Sequence, residues 1–269
     1  MHEIATWLRD LPTGWIVALA LAENAALVGV TALLGHWALK LPGAHRVTPP
    51  PGPVSRLELA LVAVATVLNA AVTVAGWWLW RAGIITFTLP LTWRALPDLA
   101  VLLLAMDVFL YVSHATVHVR WLFPLAHRLH HVFADPRPIT LFALHPVEVA
   151  GFGGAWLAIL AVHPFSAWAV AAYTLVNLLF GILGHLGVEP LPPRVRASAV
   201  FKWVATPAMH VGHHAAPRYN LGFYSTVWDR LFGTLEPGYD ARRTGALPEA
   251  IEPVGDTTGI SIPTAPSAG

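Results

Sequence analysis

Three long apolar runs, each as long as a bilayer is thick, constrain this chain before anything else. A helix rises about 1.5 Å per residue, so crossing the ~30 Å hydrocarbon core takes roughly 20 apolar residues. Trp15–Leu39, Leu57–Trp80 and Leu99–His118 all meet that length, although Glu23 and Asn24 interrupt the first. Backbone groups in lipid must pair within their own segment, so such runs are helices. Two further apolar stretches follow. Val147 to Val162 rises only ~24 Å, too short to cross by itself, whereas Pro164 to His185 is long enough. Together they predict a helical hairpin over 147–185 that turns at His163–Pro164. The chain is 56% hydrophobic and 12% charged, where a soluble domain carries about 25% charged residues. The expected fold is all-α, an integral membrane helical bundle.

Composition also excludes function classes. A net charge of +1 without a dense basic patch argues against a nucleic-acid partner. The absence of cysteine removes disulfides, thiolate zinc sites and iron–sulfur clusters. The first apolar run is too long for a signal-peptide core, so no cleavable leader is expected. Trp77, Trp78 and Trp80 with Arg81 close the second run as an interfacial belt. Residues 237–269 are rich in Pro, Gly, Thr, Ser and Ala with no periodic apolar face. They predict a disordered tail behind one membrane domain, 1–236. Lys40, Arg46 and Arg56 fill the first loop, against Arg81 and Arg94 in the second. Arg120, Arg128, Arg137, Arg194, Arg196 and Lys202 follow the third run. The excess of basic residues places the first loop and those later segments in the cytoplasm.

The histidines carry the chemistry. Eight stand in three boxes: His114-x-x-x-His118, His127-x-x-His130-His131 and His210-x-x-His213-His214. Residues three and four apart on a helix share a face, so each box aims its imidazoles at one small volume. Neutral imidazole suits iron, zinc, copper and nickel. Eight nitrogens are too many for one ion, and adjacent histidines diverge by about 100° on a helix, so they can serve two. A dimetal site in a cytosolic, helical, histidine-rich cap follows. His145 and His185 flank the hairpin on the box side and are further candidate ligands. Asp107, Tyr111, His114 and His118 form one helical stripe. Asp107, an acid inside an apolar run, is a functional suspect, expected to orient a ligating imidazole. Tyr111 is a candidate catalytic residue, though aromatics more often pack. His2, His36, His45 and His163 read as structural. Only four acids, Asp107, Asp135, Glu148 and Glu189, lie between Asp107 and His214. A carboxylate-bridged di-iron bundle needs several glutamates and a Glu-x-x-His motif. Two other classes compete: a bis-histidine haem cytochrome, which needs single histidines facing one another across spans, and a metal transporter, which needs polar residues along several spans.

The stripe and boxes resemble the fatty acid hydroxylase superfamily, which includes sterol C5-desaturases, C4-methyl sterol oxidases and fatty acid 2-hydroxylases. His145-Pro146-x-Glu148, Gly184-His185-x-Gly187 and Trp228-Asp229-Arg230-Leu231-Phe232-Gly233-Thr234 extend the resemblance over roughly residues 100–236. It implies an O₂-dependent, two-iron membrane hydroxylase or desaturase acting on a sterol-type or fatty-acyl lipid. The implied ligands are His114, His118, His127, His130, His131, His210, His213 and His214, with His185 and His145 added. Electrons come from a separate donor such as cytochrome b5 or a ferredoxin with its reductase. Redox-inert zinc cannot attack an unactivated C–H bond, yet it outcompetes ferrous iron and so can occupy purified protein.

Overall fold

The computed structural model describes residues 2–244. Its helices are α1 His2–Asp10, α2 Thr13–Ala38, α3 Arg56–Arg81, α4 Ala95–Val117, α5 Phe123–Ala126, α6 Arg128–His131, α7 Pro146–Val162, α8 Ala167–Gly184, α9 Pro193–Arg196, α10 Pro207–Ala215, α11 Val227–Phe232 and α12 Tyr239–Arg243. Two 3₁₀ turns, Pro138–Phe142 and Phe201–Trp203, and one pair of two-residue strands, β1 His45–Arg46 and β2 Val188–Glu189, are the other regular elements among the described residues.

Helices α2, α3, α4 and α8 are long and apolar enough to cross a membrane. Only 17–28% of their most apolar windows is buried within the protein. Leu33, Leu59, Val101 and Leu104 therefore face outward, an apolar wall that suits lipid and not water. Helix α7 is shorter; the chain turns after it into α8 as expected, but the two helices meet mainly through side chains such as Trp156 stacked on Tyr173 at 4.7 Å. Helix α2 packs on α3, α3 on α7, and α4 on α7 and α8. Leu102, Met106 and Leu110, spaced by one helical turn on α4, meet Leu160, Ala169 and Tyr173 in the largest core cluster.

The two ends of the bundle differ. At one end the Asp98 carboxylate accepts the Ser166 N–H at 2.7 Å and lies 3.4 Å from His163 Nε2. The first turn of α4 thus ties to the hairpin turn, as does the 84–97 connector, where Thr88 donates to the Phe165 carbonyl and accepts the Ala167 N–H, both at 3.0 Å, and His163 has a structural place. At the other end β1 pairs antiparallel with β2, His45 opposite Glu189. Ser55 caps α3, and buried Glu58 in its first turn binds Arg137 (3.2 Å) and the Thr140 hydroxyl (3.2 Å). Arg137 also donates to the Gly52 carbonyl at 2.6 Å. These ties put the first loop, the second histidine box and the segment after α8 on one face.

The third histidine box lies in a stretch that prolines divide into short helices. Pro193 and Pro207 each start a new short helix, and Asn220, at φ +56°, turns the chain between α10 and α11. Trp77 is not a lipid anchor. It is buried, and its indole N–H donates to the Leu8 carbonyl of α1 at 2.9 Å. Order also continues past 236. Tyr239 of α12 is 1% exposed, with its hydroxyl 3.2 Å from that of Thr206, so a packed aromatic holds the chain through Thr244. Residues 245–269 of the expected tail lie outside the described residues.

Candidate metal centre

Each box reaches the centre by a different local structure. His114 lies on the last turn of α4, and His118 is its C-cap residue. The second box is not one helix. His127 sits at a break between α5 and α6, with φ −129°, and only His130 and His131 follow on α6. The third box occupies α10, which Pro207 starts at its first position. His185 ends α8.

Nine imidazoles converge. The ligating atoms of His114, His118, His127, His131 and His213 all lie within 4.8 Å of one another, as do those of His130, His185 and His210. His214 Nε2 joins the second group, 3.1 Å from both His130 Nε2 and His210 Nε2. The adjacent pairs His130/His131 and His213/His214 are split between the two groups. His145 is not in either. Its ring instead caps α7, with Nδ1 accepting the Val147 N–H at 3.2 Å.

Hydrogen bonds on the outer nitrogens fix the tautomers. His127 Nδ1 donates to Glu148 Oε1 at 2.6 Å, His114 Nδ1 to the Leu221 carbonyl, His213 Nδ1 to the Tyr219 carbonyl and His185 Nδ1 to the Gly181 carbonyl, the last three at 2.8 Å. A neutral ring that donates through Nδ1 keeps a bare lone pair on Nε2. Yet His114 Nε2 stands 3.1 Å from His127 Nε2, lone pair against lone pair. His185 Nε2 is buried with no hydrogen-bond partner. Such lone pairs repel unless a cation lies between them. Two nitrogens about 2.1 Å from one ion, at tetrahedral to octahedral angles, are roughly 3.0–3.4 Å apart. His213–His131 at 3.1 Å and His118–His114 at 3.3 Å fall in the same range. The donor set fits transition-metal ions.

Electrostatics agree. Burial pushes His127 down to about 3 and His185 to about 4. Burial and then repulsion by neighbouring rings hold His118, His130, His131, His210, His213 and His214 well below the usual imidazole range. The rings are therefore neutral at physiological pH, the form that ligates.

The sequence misplaced one partner. Asp107 does not touch an imidazole. Its carboxylate accepts the Tyr224 N–H (3.3 Å), the Ser225 hydroxyl (2.7 Å) and the Trp228 indole N–H (2.9 Å). It anchors the loop that follows the third box. The carboxylate on a histidine is Glu148. Its signal was present as the fourth residue of His145-Pro146-x-Glu148, but only helix packing brings it to His127. Tyr111 is buried on the stripe, with its hydroxyl engaged by Thr234 at 2.9 Å. A second unforeseen residue is Asp229, fully buried, which accepts the Leu221 and Gly222 N–H groups at 2.8 Å each and the Thr234 hydroxyl at 2.7 Å. It holds the strand of backbone whose carbonyls meet His114 and His213.

Comparison with known proteins gives the same region. The fatty acid hydroxylase family profile matches residues 99–234, just over half of the chain. Human lathosterol oxidase is 31% identical over 137 residues, 48% of this chain and 42% of that protein. A zebrafish cholesterol 25-hydroxylase-like protein is 29% identical over 171 residues, 59% of this chain and 63% of that one. A rice very-long-chain aldehyde decarbonylase is 26% identical over 204 residues, 72% of each. The chain thus spans less than half the length of the lathosterol oxidases it matches. No solved structure matches it.

Proposed function

Because the chain belongs to the fatty acid hydroxylase family, we propose that it is a membrane oxidoreductase that uses two histidine-held iron ions and O₂ to hydroxylate or desaturate a membrane lipid. The observation that carries this reading is the pair of adjoining imidazole groups, with bare lone pairs converging, at the end of an apolar bundle. His114, His118, His127, His131 and His213 hold one ion; His130, His185, His210 and His214 hold the other. Bound iron supplies the redox chemistry that breaks an unactivated C–H bond.

The chain's own residues do the rest. Glu148 and the carbonyls of Leu221, Tyr219 and Gly181 hold four rings by their outer nitrogens, which fixes tautomer and aim. Phe223 packs on His114 at 4.9 Å, and Phe123 lies 5.2 Å from both His118 and His131, which excludes water from the rings. His145 takes a helix-capping role and Asp107 a loop-anchoring one. In hydroxylation one O₂, two electrons and two protons convert a C–H bond to C–OH and release one water. In desaturation the same inputs remove two hydrogens from adjacent carbons and release two waters. The electrons come from a separate donor protein of the cytochrome b5 or ferredoxin type. The imidazole face is cytoplasmic, in keeping with its arginines and lysines. Sterols and acyl chains are the leading substrates, since the relatives' names include both classes.

Comparative lipidomics of cells with the active protein and with His131→Ala tests this. A lipid gaining one oxygen, or losing two hydrogens, only with the active protein is expected. Reconstituted, iron-loaded protein that consumes no reductant above background with either lipid class, or a strong haem spectrum, overturns it.

A further inference from the structure

Helices α4 and α8 leave a groove of about 390 Å³ on the outer wall of the bundle, lined by Leu103, Leu104, Asp107, Val176, Phe180 and Tyr224. That volume is within the range of small-molecule sites, roughly 300–1,000 Å³. Beside it runs a chain of polar groups. The Tyr224 hydroxyl donates to Asn177 Oδ1, so the Tyr173 hydroxyl, 2.9 Å away, donates to Tyr224. The relay ends at the Asn177 amide nitrogen, which has no protein partner among the described residues. Asn177 lies mid-way along the spanning helix α8 and is exposed. A bilayer core offers no water to an amide N–H, and unpaired polar groups there are costly. Intramembrane polar residues mark ligand pathways for that reason. The groove residue Tyr224 is next in the chain to Phe223, which packs on the His114 ring at 4.9 Å.

We propose that this groove binds the lipid substrate and that the Asn177 amide donates a hydrogen bond to an oxygen on it. The substrate is then a lipid that already carries a hydroxyl or carbonyl oxygen, not a plain hydrocarbon tail. Asn177 precedes His185 by eight residues, roughly 12 Å along the helix. The anchored oxygen is held that far from the imidazoles, so the carbon oxidised is remote from it. This rests on the lipid-oxidase reading above, but binding at the groove is measured without turnover.

The test uses the full metal-loaded chain in lipid nanodiscs with two photoreactive probes, a diazirine-bearing sterol alcohol and a diazirine-bearing long-chain fatty alcohol. The expected result is labelling of α4 and α8 peptides by one probe or both, competed by the parent alcohol and not by the matching hydrocarbon. Which probe labels identifies the lipid class. Asn177→Leu is expected to weaken alcohol competition about fivefold, the worth of one hydrogen bond, and to remove the preference over hydrocarbon while metal content stays unchanged. Leu104→Trp, which fills the groove from its lipid side, is expected to suppress labelling, again at full metal content. Equal competition by alcohol and hydrocarbon in the wild-type protein, or labelling indifferent to both variants, overturns the proposal. Asn177-dependent labelling with no oxidation of any lipid sustains the groove and instead overturns the oxidase reading.

Discussion

One hydrogen bond of 2.6 Å, from His127 Nδ1 to Glu148 Oε1, decides which nitrogen His127 turns toward its neighbours. Replacing the carboxylate by an amide leaves the packing nearly unchanged but weakens the acceptor and allows the ring to flip. Glu148→Gln is therefore expected to lower metal affinity or activity by roughly 10- to 100-fold, the usual effect of removing a ligand's orienting partner. Metal analysis of the folded fraction and a turnover assay check it. The ring set makes a sharper division. His130→Ala, His131→Ala, His185→Ala, His213→Ala and His214→Ala are expected to lose metal and activity, with the parent protein holding about two ions per chain. His145→Ala, which removes only a helix cap, is expected to keep its metal and to cost about 0.5–2 kcal/mol of stability. Loss of metal in His145→Ala would contradict the assignment.

At the scale of elements, the loop between α10 and α11 is a scaffold for one imidazole on α4 and one on α10 itself. Asn220, a residue type that tolerates positive φ, is held in its turn by long-range bonds: its side chain donates to the Met209 carbonyl at 3.1 Å and accepts the Glu236 N–H at 3.0 Å. Gly222 follows, where an added Cβ would stand 2.5 Å from the Ser225 carbonyl oxygen and 2.7 Å from Asp229 Oδ2. Gly222→Ala must push that backbone away from Asp229, and with it the Leu221 carbonyl that holds His114. An overpacking loss of about 1–3 kcal/mol is expected, together with lowered metal content. Thermal unfolding and metal analysis of the same sample read both. A variant with reduced stability and full metal content would separate the loop from the centre.

For the whole molecule, the buried rings link stability to pH. Their folded-state values are depressed, to about 3 for His127 and about 4 for His185, below an unfolded value near 6.5. The unfolded chain therefore binds more protons between those limits. The metal-free protein is expected to hold its full stability above about pH 6.5 and to lose it progressively as the pH falls toward 4. Thermal melts in detergent from pH 7.5 to 5 measure the slope; a midpoint independent of pH would contradict it. Topology has an equally direct test, because the chain has no native cysteine. Single cysteines at Pro51 and Pro136 are expected to share accessibility, since Arg137 binds the Gly52 carbonyl. One at Thr92, beside the hairpin turn, is expected to be labelled from the opposite side.

Apolar length and histidine spacing are local properties, which is why the sequence by itself determined the long helices, the hairpin and the eight boxed histidines. A run such as Leu57–Trp80 needs only its own residues to become α3. His210, His213 and His214 need only a helix to share a face. His185 was reachable because a hairpin must return to the side it left. What the tertiary structure decided depends on the rotation and stacking of separate helices. Asp107 lies inside an apolar run and Glu148 at the start of one, and only the packing of α7 against α5, and of α4 against the loop after α10, gave the imidazole to Glu148. His127 and His130 read as one helical face until the break between α5 and α6 sent them to different groups. The carbonyls of Tyr219 and Leu221 and the amide of Asn177 have no signature in one dimension. A backbone oxygen or a lone asparagine acquires a role only when long-range packing sets it against a ring or a groove.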